Sequence, residues 1–498
     1  MGQPFDIAQK IHSPAPAGGS RTLALKPICL CLEGGLVRAN LTQERLLAML
    51  FKPTGLLALL ANAGGGATKL RECVSRFDTQ DAETLPYNEK LLEFLRAEKS
   101  KGHPIVLLAT AEDPLARAVV EHLSIFDDVI FLEHGPSDKN QIVDSLKERF
   151  GESGFIYVGN DQDALAVWKI ADAAIVVNAS PAVVAQAQQS ATIQTIIDDR
   201  PNILVSNLRL LRPHQWSKNL LVFVPLIAAR LWTDLGAWGD AIYAFLSFCA
   251  IASSIYVIND IIDISSDRRH PRKRKRAVAS GDVSIPIAIA ISLTTLSIGL
   301  VLSYVAGVTT VVVIYALTSL SYSLGLKKLP LVDIFILAAL YTLRVLAGGI
   351  AVAHPVSFWL LGFSGFTFLS LSSVKRTEEL MAIQRSPTRK TNSARGYLPE
   401  DLPFLQMLGC SSTFASSVVL ALFVGSSAAS EQYRSPEILW LLVPLMLFWQ
   451  CRLWLATMRG WMHDDPIVYA ARDWVTWCVV VTAVLIMFAS ATGFVSFY

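Results

Sequence analysis

The chain has 498 residues, of which 52% are hydrophobic and 17% charged, with a formal net charge of +2. Its mean hydropathy of +0.44 is too high for an ordinary soluble protein of this length and indicates a membrane protein. The near-neutral balance hides a local asymmetry, so the net charge says little about partners; we expect no nucleic-acid partner. The seven cysteines are scattered and lack metal-site spacing, so we expect neither a disulfide framework nor a cysteine metal centre.

The first third of the chain has the pattern of a soluble α/β domain. Residues 1–20 are polar and lack the apolar region of a signal peptide, so we predict a disordered tail. Between residues 21 and 180, short apolar runs alternate with helical stretches, which predicts a Rossmann-like domain with a parallel sheet. The predicted strands are 27–32, 105–109, 129–132, 154–158 and 173–177. Residues 181–206 are interpreted as a linker containing one short helix.

Apolar runs of about twenty residues recur through residues 207–498, which predicts an all-α polytopic membrane domain. Basic residues are concentrated in the loops after the second, fourth, sixth and eighth spans. That asymmetry places these loops and the N-terminal domain in the cytoplasm, with the spans in the cell (inner) membrane. The nine predicted transmembrane helices are 217–233, 236–258, 284–304, 307–325, 331–353, 355–375, 405–427, 435–456 and 473–496.

One charged stretch, residues 259–281, follows the second span directly. Read as the end of a helix, it places Asp260, Asp263 and Asp267 at i, i+3 and i+7, on one helical face. Carboxylate oxygens in that arrangement suit Mg²⁺, which completes its coordination with substrate phosphates. A basic run follows at residues 268–276, so the stretch predicts a site for a polyphosphate. The alternative is a solvated, charged loop at the end of a membrane helix.

The same stretch resembles the first aspartate-rich motif of the UbiA-type prenyltransferase superfamily, Asn-Asp-x-x-Asp-x-x-x-Asp. Its continuation, Asp-Arg-Arg-His-Pro at residues 267–271, is similar to the branch of decaprenylphosphoryl-ribose-phosphate synthases. Ala277 departs from that branch, which usually has proline there. The resemblance implies nine spans, Mg²⁺ as cofactor, phosphoribosyl pyrophosphate (PRPP) as donor and a polyprenyl phosphate as acceptor.

The resemblance also assigns site residues. Asp260 and Asp263 are the expected catalytic residues, and the expected metal ligands are Asn259, Asp260, Asp263 and Asp267. The expected substrate-binding residues are Lys218, Asn219, Tyr256, Arg268, His270, Lys273, Arg276, Tyr322, Lys327, Asp333, Arg344, Lys375 and Arg376.

Several of these positions have alternative interpretations. Arg212 and Trp216 fit either interfacial anchors or an entry motif in which Lys218 and Asn219 face the donor diphosphate. Ordinary members of the superfamily carry a second Asp-x-x-x-Asp motif near Asp333, but here the second position is leucine. Arg344 lies inside an apolar span, and three alternatives stay open for it: it pairs with Asp333, it binds a substrate phosphate, or it belongs to a purely structural pair.

Residues 21–180 resemble the haloacid-dehalogenase (HAD) hydrolases. That family opens with Asp-x-Asp-Gly-Thr, and this chain has Cys-Leu-Glu-Gly-Gly at residues 31–35. Cys31 and Glu33 thus replace the two carboxylates, while Thr110, Lys139 and Asp161 match the phosphate- and metal-binding positions. Since a cysteine cannot form the aspartyl-phosphate intermediate, we expect a domain without phosphatase activity.

Three functions follow from the sequence. The first is transfer of 5-phosphoribose from PRPP to a polyprenyl phosphate in the membrane. The second is conventional prenyl transfer from a prenyl diphosphate to an aromatic ring, which the incomplete second motif disfavours. The third is a transporter or scaffold without enzymatic activity, which the three stacked carboxylates beside a basic run disfavour. Assembly as a homo-oligomer stays open.

Overall fold

The structure is a computed structural model that describes residues 25–62, 64, 69, 73–74, 77, 80–110, 113–132, 139–151, 153–354, 356–385, 396–462 and 465–492. The predicted tail, residues 1–20, lies outside them. The chain divides into two compact units, Met1–Arg200 and Pro201–Tyr498, hereafter unit 1 and unit 2. The boundary between the units falls inside the predicted linker.

Unit 1 contains a six-stranded parallel sheet in the order β3-β2-β1-β4-β5-β6. The strands are β1 Ile28–Cys31, β2 Ile105–Thr110, β3 Asp128–Leu132, β4 Ile156–Gly159, β5 Ala173–Val177 and β6 Ile193–Ile197. The α-helices are α1 Leu41–Phe51, α2 Pro53–Asn62, α3 Glu89–Ser100, α4 Pro114–Leu123, α5 Lys139–Phe150, α6 Ala164–Trp168 and α7 Pro181–Ser190. The predicted parallel α/β architecture is confirmed.

Alternate residues of β1 enter two different cores, one on each face of the sheet. Ile28 and Leu30 pack with α3 and α4, whereas Cys29 and Cys31 pack with α5, α6 and α7. The strand order reverses between β1 and β4, and ligands of open parallel sheets bind at the carboxyl ends of the strands at such a point. The loops after β1 and β4 therefore mark the candidate site of unit 1.

The predicted linker is corrected in part by the structure. Its short helix is confirmed as α7, which begins with a Ser180 N-cap and Pro181 in the first turn. The residues after α7 form the edge strand β6 rather than an irregular connection. The β-branched residues of Ile193–Ile197 favour a strand, and pairing with β5 supplies the hydrogen bonds that a linker would leave to water.

Unit 2 is all-α in the residues described, as predicted. Its α-helices are α8 Ile203–Leu211, α9 Val224–Ala228, α10 Leu235–Ile262, α11 Ile264–Arg268, α12 Ile285–Val305, α13 Thr309–Leu324, α14 Val332–Ala351, α15 Phe358–Gln384, α16 Leu402–Val424, α17 Ser427–Gln432, α18 Leu442–Met458, α19 Pro466–Arg472 and α20 Trp474–Thr492. Six helical segments among the described residues are long and apolar enough to cross a membrane: Leu235–Ile262, Ile285–Val305, Val332–Ala351, Pro399–Val424, Pro436–Met458 and Trp474–Thr492.

The predicted count of nine transmembrane helices is therefore not confirmed. The first predicted span, 217–233, is a 3₁₀ stretch, Pro213–Phe223, followed by the short helix α9. Helix α13 has only 16 residues. Helix α15 has 27 residues, but it buries hydroxyl side chains such as Ser370, which bonds Thr413 of α16 at 2.8 Å. Small polar residues of this kind are common where membrane helices pack together.

Helix α14 approaches the 3₁₀ stretch Pro213–Phe223 closely, and a glycine makes that approach possible. A Cβ atom on Gly348 would lie 2.0 Å from the carbonyl oxygen of Val222. The same stretch carries Lys218 and Asn219, so this contact fixes the position of two predicted site residues.

We predict that Gly348→Ala destabilises unit 2, because overpacking against backbone costs about 1–3 kcal/mol. The melting temperature of the purified protein in detergent should fall by several degrees. Gly365→Ala in α15 is the matched control, since nothing lies within 4 Å of its added Cβ. That control should be neutral or slightly stabilising. Equal melting temperatures for both variants would contradict the prediction.

Candidate functional site

Two of the three stacked aspartates converge on one cation. Asp260 near the end of α10 and Asp267 in α11 are both buried. The Nη1 atom of Arg276 lies 3.2 Å from Asp260 Oδ1 and 2.6 Å from Asp267 Oδ2. The guanidinium group of Arg212 also donates to Asp260 Oδ1. We call Asp260, Asp267, Arg212 and Arg276 the aspartate cluster.

Arg212 reaches this cluster from the segment before the helical bundle. It ends α8 in the left-handed conformation, with φ of 52°, and its guanidinium carbon lies 5.2 Å from the ring centre of Tyr256. The sequence left its role open between an interfacial anchor and an entry motif, and the structure places it on a predicted metal ligand. The Trp216 side chain likewise contacts the protein interior, because its Nε1 donates a hydrogen bond to Ser253 Oγ at 3.0 Å.

Asp263 does not join the other two aspartates. Helix α10 ends at Ile262, and Asp263 has φ −91° and ψ 9° between α10 and α11. Its carboxylate pairs with Lys327 Nζ at 3.2 Å instead. Asn259 is half-buried one turn earlier. In the described part of the chain, no group of three or more His, Cys, Asp or Glu side chains is placed to hold a metal ion.

The donor set of the aspartate cluster nevertheless fits a hard cation. Two buried carboxylates already share one positive group, and carboxylate oxygens are the ligands that Mg²⁺ prefers. The metal roles of Asn259, Asp260, Asp263 and Asp267 stay predictions.

A cavity of about 540 Å³ adjoins the aspartate cluster. Its walls combine basic and apolar side chains with one acid, Asp260. Helix α8 contributes two apolar residues, Val205 and Leu208, which are also exposed on the surface. The cavity is lined by Val205, Leu208, Arg209, Arg212, Pro213, His214, Gln215, Asp260, Lys275, Arg276 and Ala277. This volume and charge suit a phosphorylated small molecule.

A second cluster forms around Asp465, which the sequence analysis did not single out. Its Oδ2 accepts hydrogen bonds from Lys218 Nζ at 2.8 Å and from Lys375 Nζ at 2.9 Å. Its Oδ1 accepts from the Tyr341 hydroxyl at 3.4 Å and from Ile467 N at 3.2 Å, as the N-cap of α19. Burial raises the pKa of Asp465, but the two ammonium groups outweigh it and hold that pKa well below its ordinary value. We call Lys218, Lys375, Asp465 and Tyr341 the lysine cluster.

Arg344 lies buried beside this cluster. Its Nε donates to Asn219 Oδ1 at 2.8 Å, and its other nitrogens donate to Tyr315 Oη at 2.9 Å and to the Leu340 carbonyl at 2.6 Å. The ring of Tyr341 lies 5.5 Å from its guanidinium carbon. Its hydrogen-bond partners are neutral groups, so of the three alternatives left open by the sequence the pairing with Asp333 is not observed.

Asp333 pairs with a different cation, Arg376. It is fully buried and accepts hydrogen bonds from Arg376 Nε and from the Tyr397 hydroxyl. Arg376 also bonds Tyr322 Oη at 2.9 Å and Glu379 Oε2 at 2.6 Å. The structure therefore brings Tyr322, Asp333 and Arg376 together in one buried group, in which Arg376 is the cation paired with the Asp333 carboxylate.

The remaining candidates shape the basic loop after α11. Arg268 is buried, and its Nε donates to the Ala279 carbonyl at 2.9 Å. His270 Nδ1 accepts from the backbone N–H groups of Arg272 and Lys273, at 3.2 and 3.4 Å. The Lys273 side chain is exposed. These contacts hold the loop that presents Arg276 to the aspartates.

Sequence reasoning missed Asp465 because a single aspartate between two spans carries no motif. The available signal was the dipeptide Asp465-Pro466, a typical N-cap and first helical residue. That signal predicts where α19 begins, but it does not predict two lysines from distant helical segments.

Unit 1 brings its predicted residues to the carboxyl ends of β1 and β4. Cys31 is buried, with Sγ 3.4 Å from Tyr157 Oη, and Glu33 Oε1 accepts from Thr42 N at 3.0 Å. Thr110 ends β2. Asp161 accepts from Asp163 N and Ala164 N, which caps α6. Lys139 begins α5, and its side chain lies outside the described part.

Burial raises the pKa of the Cys31 thiol to about 11, although the hydrogen bond with Tyr157 opposes the shift. Only about one thiol in a thousand is then ionised at pH 8, so Cys31 should alkylate more than about a hundredfold slower in the folded chain than in the unfolded chain. Peptide mass spectrometry of the full-length protein after timed iodoacetamide treatment measures this ratio. The alkylation rate of Cys31 should rise as the pH approaches 11. Fast alkylation of the folded chain at pH 8 would contradict the buried position of this thiol.

The sequence profile of the UbiA prenyltransferase family matches residues 221–459. The uncharacterized protein y4nM of Sinorhizobium fredii is 33% identical over 461 residues, covering 91% of this chain and 89% of that protein. The decaprenyl-phosphate phosphoribosyltransferase of Mycolicibacterium smegmatis is 35% identical over 217 residues, covering 42% of this chain and 68% of that protein. A solved UbiA homolog from Archaeoglobus fulgidus, bound to GPP and Mg²⁺, aligns at 15% identity with a TM-score of 0.45, covering 58% of this chain and 99% of that one.

The fold and these relatives define a multi-pass integral membrane transferase. The chain belongs to the UbiA prenyltransferase family.

Proposed function

We propose that unit 2 transfers 5-phosphoribose from PRPP to a polyprenyl phosphate and releases pyrophosphate. The observation that carries the proposal is the aspartate cluster at the wall of the basic cavity. Asp260 and Asp267 offer carboxylate oxygens for a metal, and Arg212 and Arg276 stand beside them to bind phosphate oxygens. The M. smegmatis relative, named a decaprenyl-phosphate phosphoribosyltransferase, supports the same reaction.

PRPP fits better than a prenyl diphosphate because it carries a second phosphate, which needs cations rather than metal. Unit 2 supplies such cations beyond the aspartate cluster, at Lys218 and Lys375. Asp333, the remnant of a second metal motif, is already paired with Arg376. A second metal-bearing site for a prenyl diphosphate would have to break that buried pair.

Asn259, Asp260 and Asp267 would hold Mg²⁺, while the Asp263 carboxylate pairs with Lys327. When bound, Mg²⁺ would neutralise charge on the departing diphosphate. Arg212 and Arg276 would bind and orient the diphosphate oxygens next to it.

The reaction breaks the bond between C1 of the ribose and the diphosphate oxygen, which leaves with the electron pair. A lipid phosphate oxygen then supplies the electron pair for the new bond to C1. The acceptor is already anionic, so no general base is required.

For orientation, we propose that the end of unit 2 that carries the aspartate cluster faces the cytoplasm. The basic run at residues 268–276, the turn with Lys327 and the C-terminal part of α15 with Lys375 support this placement under the positive-inside rule. PRPP is a soluble phosphate ester and would reach the site from that side.

For unit 1, we propose a HAD-like domain without phosphatase activity. The nucleophile position holds a buried, neutral thiol, and the Asp161 carboxylate caps a helix. Phosphate-monoester turnover by the full-length protein that Asp161→Asn abolishes would refute this.

The donor is tested with purified protein, Mg²⁺ and two substrate mixtures. One contains labelled PRPP and polyprenyl phosphate; the other contains a labelled prenyl diphosphate and 4-hydroxybenzoate. Labelled lipid in the first mixture is expected. Product in the second mixture alone would reassign the chain to conventional prenyl transfer.

We predict that Asp260→Asn lowers turnover by about a hundredfold or more, because the Mg²⁺ that would neutralise the departing diphosphate loses an anionic ligand. Asp240→Asn is the control, since Asp240 is exposed near the other end of the same helix, α10. Both variants should elute as folded protein in detergent. Near-normal turnover of Asp260→Asn at limiting Mg²⁺ would exclude Asp260 from the metal site.

A further inference from the structure

The lysine cluster has the charge and geometry of an anion site that no metal needs to complete. We propose that Asp465 organises Lys218 and Lys375 into a site for a phosphate monoester, separate in its chemistry from the diphosphate site. The inference rests on the proposed function, because both of the proposed substrates carry such a group. The ribose 5-phosphate of the donor and the phosphate of the lipid acceptor are its two sources.

The lysines keep donors for a ligand while they hold Asp465. Each ammonium group has three N–H donors, and the hydrogen bonds to Asp465 use one from Lys218 and one from Lys375. Both ammonium groups are bonded to the same oxygen, Oδ2, so they lie side by side. A phosphate placed against them would receive hydrogen bonds from both without displacing Asp465.

The charges of the neighbourhood match a dianion. Two lysines and one aspartate carry a net charge of +1, and Arg344 adds another behind Tyr341, whose hydroxyl lies 3.4 Å from Asp465 Oδ1. The hydrogen-bond partners of Arg344 are neutral groups. A phosphate monoester is largely dianionic above pH 7, because its second pKa is about 6. A bound monoester would therefore neutralise a buried excess of positive charge.

Asp465 acts as a positioning residue in this site. Without its carboxylate, two ammonium groups at hydrogen-bond distance from one point would repel each other. The carboxylate is itself fixed, since it caps α19 through Ile467 N. Asp465 thus sets the spacing of the lysines before any ligand binds. Lysine ammonium groups bind phosphate as point charges, so the site needs no metal.

The test measures binding to the full-length protein by isothermal titration calorimetry in detergent with EDTA. The ligands are ribose 5-phosphate and, separately, a ten-carbon prenyl monophosphate. Asp465→Asn is the key variant, because asparagine caps a helix as well as aspartate and removes only the charge. We expect roughly a 10- to 100-fold rise in Kd, because without the carboxylate the two ammonium groups move apart and the phosphate loses a charged hydrogen bond from one of them. Lys375→Gln should behave alike and serves if Asp465→Asn does not fold.

One control separates positioning from general damage. Asp473→Asn alters another helix-capping aspartate, which accepts hydrogen bonds from Arg452 and from Thr476 N at the start of α20. It should leave Kd unchanged. Asp465→Glu restores the charge and should recover part of the affinity.

Weakened binding of either ligand in Asp465→Asn supports the site, and the ligand affected identifies the source of the phosphate. In turnover assays, the KM for that same substrate should rise more than kcat falls. Unchanged binding in both Asp465→Asn and Lys375→Gln, or wild-type binding that disappears with EDTA, would overturn the proposal. If PRPP transfer fails while the EDTA-resistant binding persists, the proposed function falls and the monoester site remains.

Discussion

Burial of carboxylates in a helical membrane protein is the constraint on which the rest of unit 2 depends. An ionised group cannot leave water unless it is paired, and each buried acid of this site is met by cations from distant parts of the chain. Asp260 receives Arg212 and Arg276, Asp333 receives Arg376, and Asp465 receives Lys218 and Lys375. These pairs join the segment before the bundle, the loop after α11, helices α14 and α15, and the loop before α19. The charge pairs therefore determine the arrangement of the whole site.

The sequence predicts elements whose pattern repeats along the chain, but it does not predict side-chain contacts between segments that are far apart in sequence. Strand alternation predicts the parallel sheet of unit 1, and apolar length predicts most of the long helices of unit 2. A break of helical geometry at Asp263 was not predictable from spacing, and it sends this carboxylate to Lys327 rather than to its neighbours. Asp465 had no motif, and its importance comes from contacts with residues 90 and 247 positions away. The sequence analysis did not predict the edge strand β6, because its five residues follow a polar, helix-forming segment.

Unit 1 shows why a cysteine suits the carboxyl end of β1. The alternation of Ile28, Cys29, Leu30 and Cys31 between two cores requires only small or branched apolar side chains. A thiol meets that requirement better than a carboxylate does, since it is neutral when buried. The bond between Cys31 and Tyr157 further satisfies both polar groups without water. A cysteine at this position thus preserves the packing of the sheet, but it cannot form an aspartyl-phosphate.

The apolar residues that α8 exposes next to the cavity determine which measure of concentration would govern the binding of a lipid acceptor. Ile203 and Leu204 stand beside Val205 and Leu208, which line the cavity wall. A substrate with a prenyl chain dissolves in the bilayer, and its encounter with such a wall is governed by its mole fraction among lipids rather than by its amount per litre. A soluble donor such as the proposed one would follow its ordinary volume concentration. The two proposed substrates would therefore saturate the protein on different concentration scales, and dilution with inert lipid or detergent would change the apparent affinity of the acceptor alone.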